Sequence, residues 1–251
     1  LNQIMTANFT ARTLGIPFFG LFGACSTMTE SLSLGAVMVD GGYADNVLCA
    51  TSSHFCTAER QFRYPLEQGT QSPPTGQWTV TGAGAVVVSN EGDVPFITHV
   101  TTGKVIDYGI KDVNNMGATM APAAAETIKA HFQDTGRMPQ DYDLIVTGDL
   151  GKVGKELVVE LLAKEGYDIA SRYIDCGCEI YSEDQNVQSG GSGCGCSAVV
   201  FSGFILKKVE DNELNRILIG STGALLSTTS TQQGESIPGI MHLVAIEKEE
   251  G

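Results

Sequence analysis

Phe18-Phe19-Gly20-Leu21-Phe22-Gly23-Ala24-Cys25-Ser26-Thr27-Met28-Thr29-Glu30 is the stretch on which the reading of this chain turns. An apolar run ends in Gly-Ala, presents one cysteine, and passes into a helical pattern whose first turn carries the capping-box spacing Thr27-x-x-Glu30. The pattern predicts a strand over residues 18–23, a turn at Cys25, and a helix over residues 27–40 with Met28, Leu32, Ala36 and Val39 on its apolar face. A thiol at such a turn lies beside the positive end of a helix dipole, which favours the thiolate. Cys25 is thus a candidate nucleophile; the plainer alternative is a small buried apolar side chain.

Working outward, strand-like and helix-like runs alternate, which is the pattern of an α/β protein. A helix is expected over residues 2–14 and ends before Pro17. Strands are expected over residues 46–51, 83–89, 96–100 and 105–108, with a turn-rich segment at 69–76, then a helix near 121–132. The second half repeats the plan: strand 144–147, helix 152–163, strand 171–175, a glycine-rich turn at 189–195, helix 198–209, strand 216–220, a polar loop at 227–235 and strand 241–246.

The halves share a unit. From Cys25-Ser26 to the strand start at Asn46 is 21 residues, and from Cys196-Ser197 to the strand start at Arg216 is 20. A repeat of this length implies a duplicated fold, residues 1–103 and 104–251, related by a pseudo-two-fold axis. That arrangement would turn two helix N-termini toward one cleft.

Composition sets limits. The 251 residues suffice for two fused half-domains, and 42% hydrophobic against 18% charged residues describes a compact, water-soluble chain. No apolar run approaches the roughly 18–20 residues that span a bilayer. The start at Leu1-Asn2-Gln3, without Met and inside a helical pattern, implies a preceding section and shows no signal peptide. A net charge of −14 disfavours nucleic acid and anionic lipid as direct partners. Seven cysteines, an odd number, read as reduced thiols in a reducing compartment.

The strings Gly15-Ile16-Pro17-Phe18-Phe19-Gly20-Leu21-Phe22-Gly23-Ala24-Cys25-Ser26-Thr27, Ala50-Thr51-Ser52-Ser53-His54-Phe55, Gln61-Phe62-Arg63-Tyr64-Pro65 and Gly190-Gly191-Ser192-Gly193-Cys194-Gly195-Cys196-Ser197 carry a resemblance. The chain resembles the thiolase superfamily, in the order and spacing of its ketoacyl-ACP synthase III branch, and within it the stage V sporulation protein AD family of spore-forming bacteria. The resemblance covers essentially the whole chain. It implies a thiolase-like fold lacking its N-terminal strand–helix section, and binding of dipicolinic acid (pyridine-2,6-dicarboxylic acid), with or without calcium. It also implies a role in moving that acid into the forespore and out of the germinating spore. The partners it implies are membrane subunits of a transport assembly and a second copy of the chain, with a forespore or cytoplasmic location peripheral to the inner spore membrane.

A condensing enzyme of this superfamily needs histidine and asparagine, or two histidines, beside its cysteine. Where the histidine loop should fall the chain reads Val146-Thr147-Gly148-Asp149-Leu150-Gly151-Lys152, and the glycine-rich turn offers Ser and Cys instead of Asn. His54, His99, His131 and His242 fall elsewhere, and a negative Asp149 would oppose an enolate. The expectation is a binding protein with a vestigial Cys25 and no cofactor or metal; a Cys25-dependent acyltransferase and a structural subunit of a membrane assembly are the alternatives.

The candidate ligand contacts are Cys25, Ser26, Thr27, Ser53, His54, Asn115, Met116, Asp149 and Ser192, with Phe22 and Met116 as apolar walls. Each has a plainer reading. His54 and Ser53 follow a strand end, Asn114 and Asn115 suit a turn, and Asp149 suits the N-cap of helix 152–163. Arg60 and Arg63 would attract a carboxylate or simply be solvated. Cys176-x-Cys178 and Cys194-x-Cys196 are spaced too tightly for an ordinary structural zinc site.

Overall fold

The computed structural model describes residues 4–92 and 95–248. Two helices, α2 (Thr27–Asp40) and α6 (Cys194–Val200), lie between two sheets, and that placement dictates their composition. One sheet is antiparallel and two-stranded: β1 (Asn46–Ser53) pairs with β3 (Gly82–Ser89), Thr51 opposite Gly84. The other has five strands in the order β4 (Phe96–Thr101), β9 (Gly239–Glu247), β8 (Arg216–Ala224), β5 (Leu144–Thr147), β6 (Tyr173–Asp175). Its β8–β5–β6 part is parallel and its β4–β9–β8 part antiparallel.

The five-stranded sheet is covered on both faces, so its strands are nearly continuous apolar runs. Alternation still sorts the side chains. Leu218, Leu243 and Ala245 face α3 (Met116–Thr135) and α4 (Gly151–Lys164), with Ile128, Phe132 and Leu162. Ile217, Ile219, Val244 and Ile246 face the middle layer, with Met28, Leu32 and Ile205. Because α2 meets a sheet on either side, it buries Ser31, Ser33 and Gly35 as well as Met28 and Leu32 of the expected stripe, while Ala36 and Val39 are only half-buried. Its polar side chains are satisfied locally or across the layers: Thr29 Oγ1 donates to the His242 carbonyl at 2.7 Å and accepts from Ser221 N at 2.9 Å.

The helix–strand–antiparallel strand unit recurs, as α2–β1–β3 and as α6–β8–β9, in line with the repeat. The register differs. The second helix begins at Cys194, so Cys196-Ser197 lies inside its first turns, and it continues through a π-helical turn (Phe201–Ile205) into α7 (Leu206–Glu210).

Several expectations change. Residues 18–23 make no strand among the described residues. A strand needs a hydrogen-bonding neighbour, and here Phe18, Phe19 and Phe22 stand exposed. Residues 105–108 make one isolated bridge, Ile106 with Gly239. The first helix is α1 (Ile4–Leu14), and residues 2 and 3 of its expected span lie outside the described residues. Three short elements were not foreseen: β2 (Trp78–Thr79), the strand β7 (Gly191–Ser192) that it pairs with in parallel inside the glycine-rich turn, and α5 (Cys176–Glu179). The polar loop at 227–235 contains α8 (Thr228–Gln232). No described helix is long and apolar enough to cross a membrane.

Candidate functional site

The starts of α2 and α6 meet. Residues Ala24–Ser26 form one turn of tight helix ahead of α2, entered through Ala24 in the left-handed region at φ 53°. A Cβ on Gly23 would sit 2.5 Å from both Ser26 Oγ and Glu30 Oε2, so a larger residue there would displace the side chains that close this turn. The capping box is not made. Thr27 Oγ1 donates backwards to the Ala24 carbonyl at 2.7 Å, Ser26 Oγ donates to Gly23 O at 2.6 Å, and Glu30 Oε2 accepts from Gly23 N at 3.0 Å. Gly223 on β8 lets this turn approach the sheet, since a Cβ there would lie 2.4 Å from the Gly23 carbonyl.

The Cys25 thiol is buried and does not favour the thiolate. A hydrogen bond to Cys194, burial, and the neighbouring Asp149 and Glu59 carboxyls hold its pKa well above the ordinary thiol value. Cys194 is the sulfur pushed down, by that same hydrogen bond, and in its neutral form its thiol donates to the Ala24 carbonyl at 3.1 Å. A thiol, burial and two carboxyls thus raise the proton affinity of Cys25. His131 is committed elsewhere, to Tyr142 Oη at 2.6 Å and Thr101 Oγ1 at 2.8 Å. His54 is exposed and accepts from Cys56 N at 3.2 Å.

Asp149 does not cap α4. Asp175 takes that place, accepting from Leu150 N at 3.0 Å, Gly151 N at 2.8 Å and Gly177 N at 3.0 Å. Asp149 turns instead to the glycine-rich turn, where its Oδ1 accepts from Gly193 N at 2.8 Å while Oδ2 is buried without a partner. Burial first, then the charge of Asp175, push its pKa well up, so the carboxyl leans toward the neutral form and not the anion expected from the sequence. Ser53 Oγ accepts from Gly195 N at 2.8 Å and donates to Val80 O at 2.6 Å, and Thr51 Oγ1 donates to Cys194 O at 2.6 Å. These contacts fix the start of α6 to β1.

Beside this buried centre lies a cavity of about 260 Å³, lined by Phe55, Phe62, Trp78 and Met116 and, on its polar side, by Arg63, Gln77, Thr79 and Asn114. Arg63 is buried against Glu59 at 2.9 Å and donates to Ser192 Oγ at 2.6 Å. Three lining residues hold buried polar atoms without partners: Arg63 Nε, Gln77 Oε1 and Thr79 Oγ1. Such atoms are rare in folded proteins because each forfeits its solvation. A second, open depression of about 340 Å³ holds Phe22, Ala24, Phe62 and Leu226.

Of the nine candidate contacts, Met116 alone lines the first cavity, and Ser192 reaches it through Arg63. Cys25, Ser26, Ser53 and Asp149 are buried in the polar layer behind it, and Asn115 caps α3 by accepting from Ala118 N at 3.3 Å. Phe22 and Met116 line different depressions. Cys194, Glu59, Gln77, Trp78 and Thr79 were not foreseen; the i,i+4 spacing of Glu59 and Arg63 was the one visible signal. Among the described residues no three His, Cys, Asp or Glu side chains are grouped to hold a metal ion.

The family model described as stage V sporulation protein AD matches residues 1–247. The stage V sporulation protein AD of Bacillus subtilis (strain 168) is 54% identical over 252 residues, covering 100% of this chain and 74% of the relative. Among solved structures, cerulenin-bound OleA of Xanthomonas campestris superposes with a TM-score of 0.62 at 17% identity, over 96% of this chain and 69% of that one. A tetronic acid condensing enzyme gives 0.58 at 18% identity, over 98% and 75%. The 3-oxoacyl-[acyl-carrier-protein] synthase III of Aquifex aeolicus gives 0.55 at 15% identity, over 96% and 71%. At these identities the structural likeness is one of fold, which is thiolase-like.

Proposed function

The chain belongs to the stage V sporulation protein AD family, with a role in sporulation, and from that premise we propose that it is a non-catalytic binding protein for dipicolinate. It serves the movement of that dianion into the forespore and its release on germination, alongside membrane subunits of a transport assembly. The observation that carries this reading is the cavity at Arg63. Its aromatic and thioether walls suit the faces of one flat ring. Arg63 Nε and Thr79 Oγ1 are donors without acceptors, which suits a carboxylate entering between them. Asn114 adds a further donor on the lining.

A catalytic role has less support. The pKa of Cys25 is raised by a hydrogen bond to Cys194, by burial and by neighbouring carboxyls, which disfavours the thiolate nucleophile. The cysteine's position at the start of a helix in a condensing-enzyme fold is what favours the other reading, acyl transfer.

Calorimetry with dipicolinate, alone and with calcium, tests the proposal. Binding is expected, reported also by the fluorescence of Trp78, the chain's single tryptophan, which lines the cavity. Arg63→Gln paired with Glu59→Gln, which removes both charges of the buried pair, is expected to weaken binding by about tenfold or more. Absence of binding at millimolar ligand overturns the proposal. A stable acyl adduct on Cys25 after incubation with acyl-CoA, lost in Cys25→Ala, would favour acyl transfer instead.

A further inference from the structure

Arg63 is the one charged side chain among the described residues that line the cavity. Its Nη1 donates to Ser192 Oγ at 2.6 Å and to the Gln77 carbonyl at 3.4 Å, its Nη2 donates to Glu59 Oε2 at 2.9 Å, and its Nε has no acceptor. Nε and Nη2 share one edge of the guanidinium, an edge that a carboxylate can grip with both oxygens. A ligand carboxylate on that edge shares Nη2 with Glu59, so two carboxylates meet at one nitrogen.

Glu59 is weakly held as an anion for that encounter. Its side chain is fully buried, and Oε1 has no partner. Hydrogen bonds to the charged form keep a buried carboxylate ionised, and the one Glu59 accepts comes from the same Arg63. The elements around it bring thiols and another acid. The Cys25 turn and Cys194 at the start of α6 stand close enough for the Glu59 charge to help retain their thiol protons. The glycine-rich turn is nearer still, since a Cβ on Gly193 would lie 3.7 Å from Glu59 Cδ, and Asp149 accepts from Gly193 N. The Arg63–Glu59 pair is already neutral, so a dianion entering beside it brings two uncompensated charges into an enclosed site.

We propose that Glu59 is the proton acceptor of this site: the ligand carboxylate takes the Nε–Nη2 edge of Arg63, and Glu59 binds one proton from solvent as it yields that edge. The proposal rests on the reading of the cavity as a dianion site. The new O–H bond forms on the Glu59 carboxyl, the Arg63 charge is left to the ligand, and Glu59 changes from a competing anion into a neutral hydrogen-bond donor. Departure of the ligand returns the proton to solvent. Acid therefore favours loading and alkali favours release, at pH values where the ligand's own carboxylates, with ordinary affinities near about 4, stay ionised.

Calorimetry with dipicolinate at neutral pH, in calcium-free buffers of different ionisation heats, counts the protons. Uptake of about one proton per ligand is expected, with an affinity that falls about tenfold per pH unit between about pH 6 and 8. In Glu59→Gln the uptake should vanish and the affinity should become flat over that range. Binding with no proton uptake overturns the proposal and leaves the dipicolinate reading standing, whereas no binding at all overturns that reading. Uptake that persists undiminished in Glu59→Gln also overturns the proposal. Infrared difference spectra of the wild-type protein decide the matter if the variant does not fold. A new protonated-carboxyl band is expected on binding, unmoved when the ligand carboxyls are labelled with carbon-13; a band that moves with the label puts the proton on the ligand and overturns the proposal.

Discussion

Arg63 shows how burial changes what a residue means. An arginine between a loop and a helix ordinarily keeps its charge in water; here its side chain is 6% exposed, paired with Glu59, and retains an unmet Nε donor. The sequence supplied the guanidinium and the i,i+4 carboxylate, but it could not say that both would be enclosed. His131 gives the same lesson with a pH consequence. Burial first, then His99 and Arg137, lower its pKa from 6.5 to about 4. The folded protein therefore binds this proton less readily than the unfolded chain does. Stability from this group is intact above pH 6.5 and is lost as pH falls toward 4, by about 3 kcal/mol. Urea unfolding at a series of pH values should show that loss, and His131→Gln should flatten the slope in that window; an unchanged slope would place the acid sensitivity in other groups.

Elements were legible where their reason was local. The helix from Thr27 to Asp40 and strands such as β1 and β5 lie close to where spacing and β-branched content put them. The misses share a cause: a strand is defined by its neighbour, and residues 18–23 have the composition of a strand but no strand beside them among the described residues. Caps failed in the same way. Asp175 reaches Leu150 and Gly151 across 25 and 24 residues of chain, a distance no capping motif encodes, and so displaces Asp149. Gly223 is the element-scale contact most open to test. Gly223→Ala would drive a Cβ to 2.4 Å from the Gly23 carbonyl, and either β8 or the Cys25 turn has to yield. A loss of about 1–3 kcal/mol in urea unfolding is expected, with easier alkylation of Cys25 in the native state. Wild-type stability in this variant would mean that the turn moves without cost.

At the scale of the molecule, a net charge of −14 opposes the approach of a dianion. The site answers with Arg63, itself paired with the buried Glu59 carboxylate, and does not reverse the field. Long-range repulsion is screened by salt while a buried contact is screened far less. The association rate of dipicolinate is therefore expected to rise with ionic strength, with a smaller change in dissociation rate, in stopped-flow measurements of Trp78 fluorescence. A rate that falls with salt would mean that a local positive field steers the ligand.

The same scale separates what the chain states outright from what its folding adds. By itself the sequence determined the α/β alternation, the duplicated cysteine–helix–strand unit and the resemblance to a thiolase-like family, because hydrophobic period and motif spacing are properties of neighbours along the chain. Only the tertiary structure decided that Cys194, and not Cys196, reaches the Cys25 turn, that Asp149 faces the glycine-rich turn with a carboxyl pushed toward neutrality, and that Arg63 lines a cavity. Proton affinity and hydrogen-bond partnership depend on desolvation and on groups brought from distant parts of the chain, and neither exists until the two sheets enclose the helices between them.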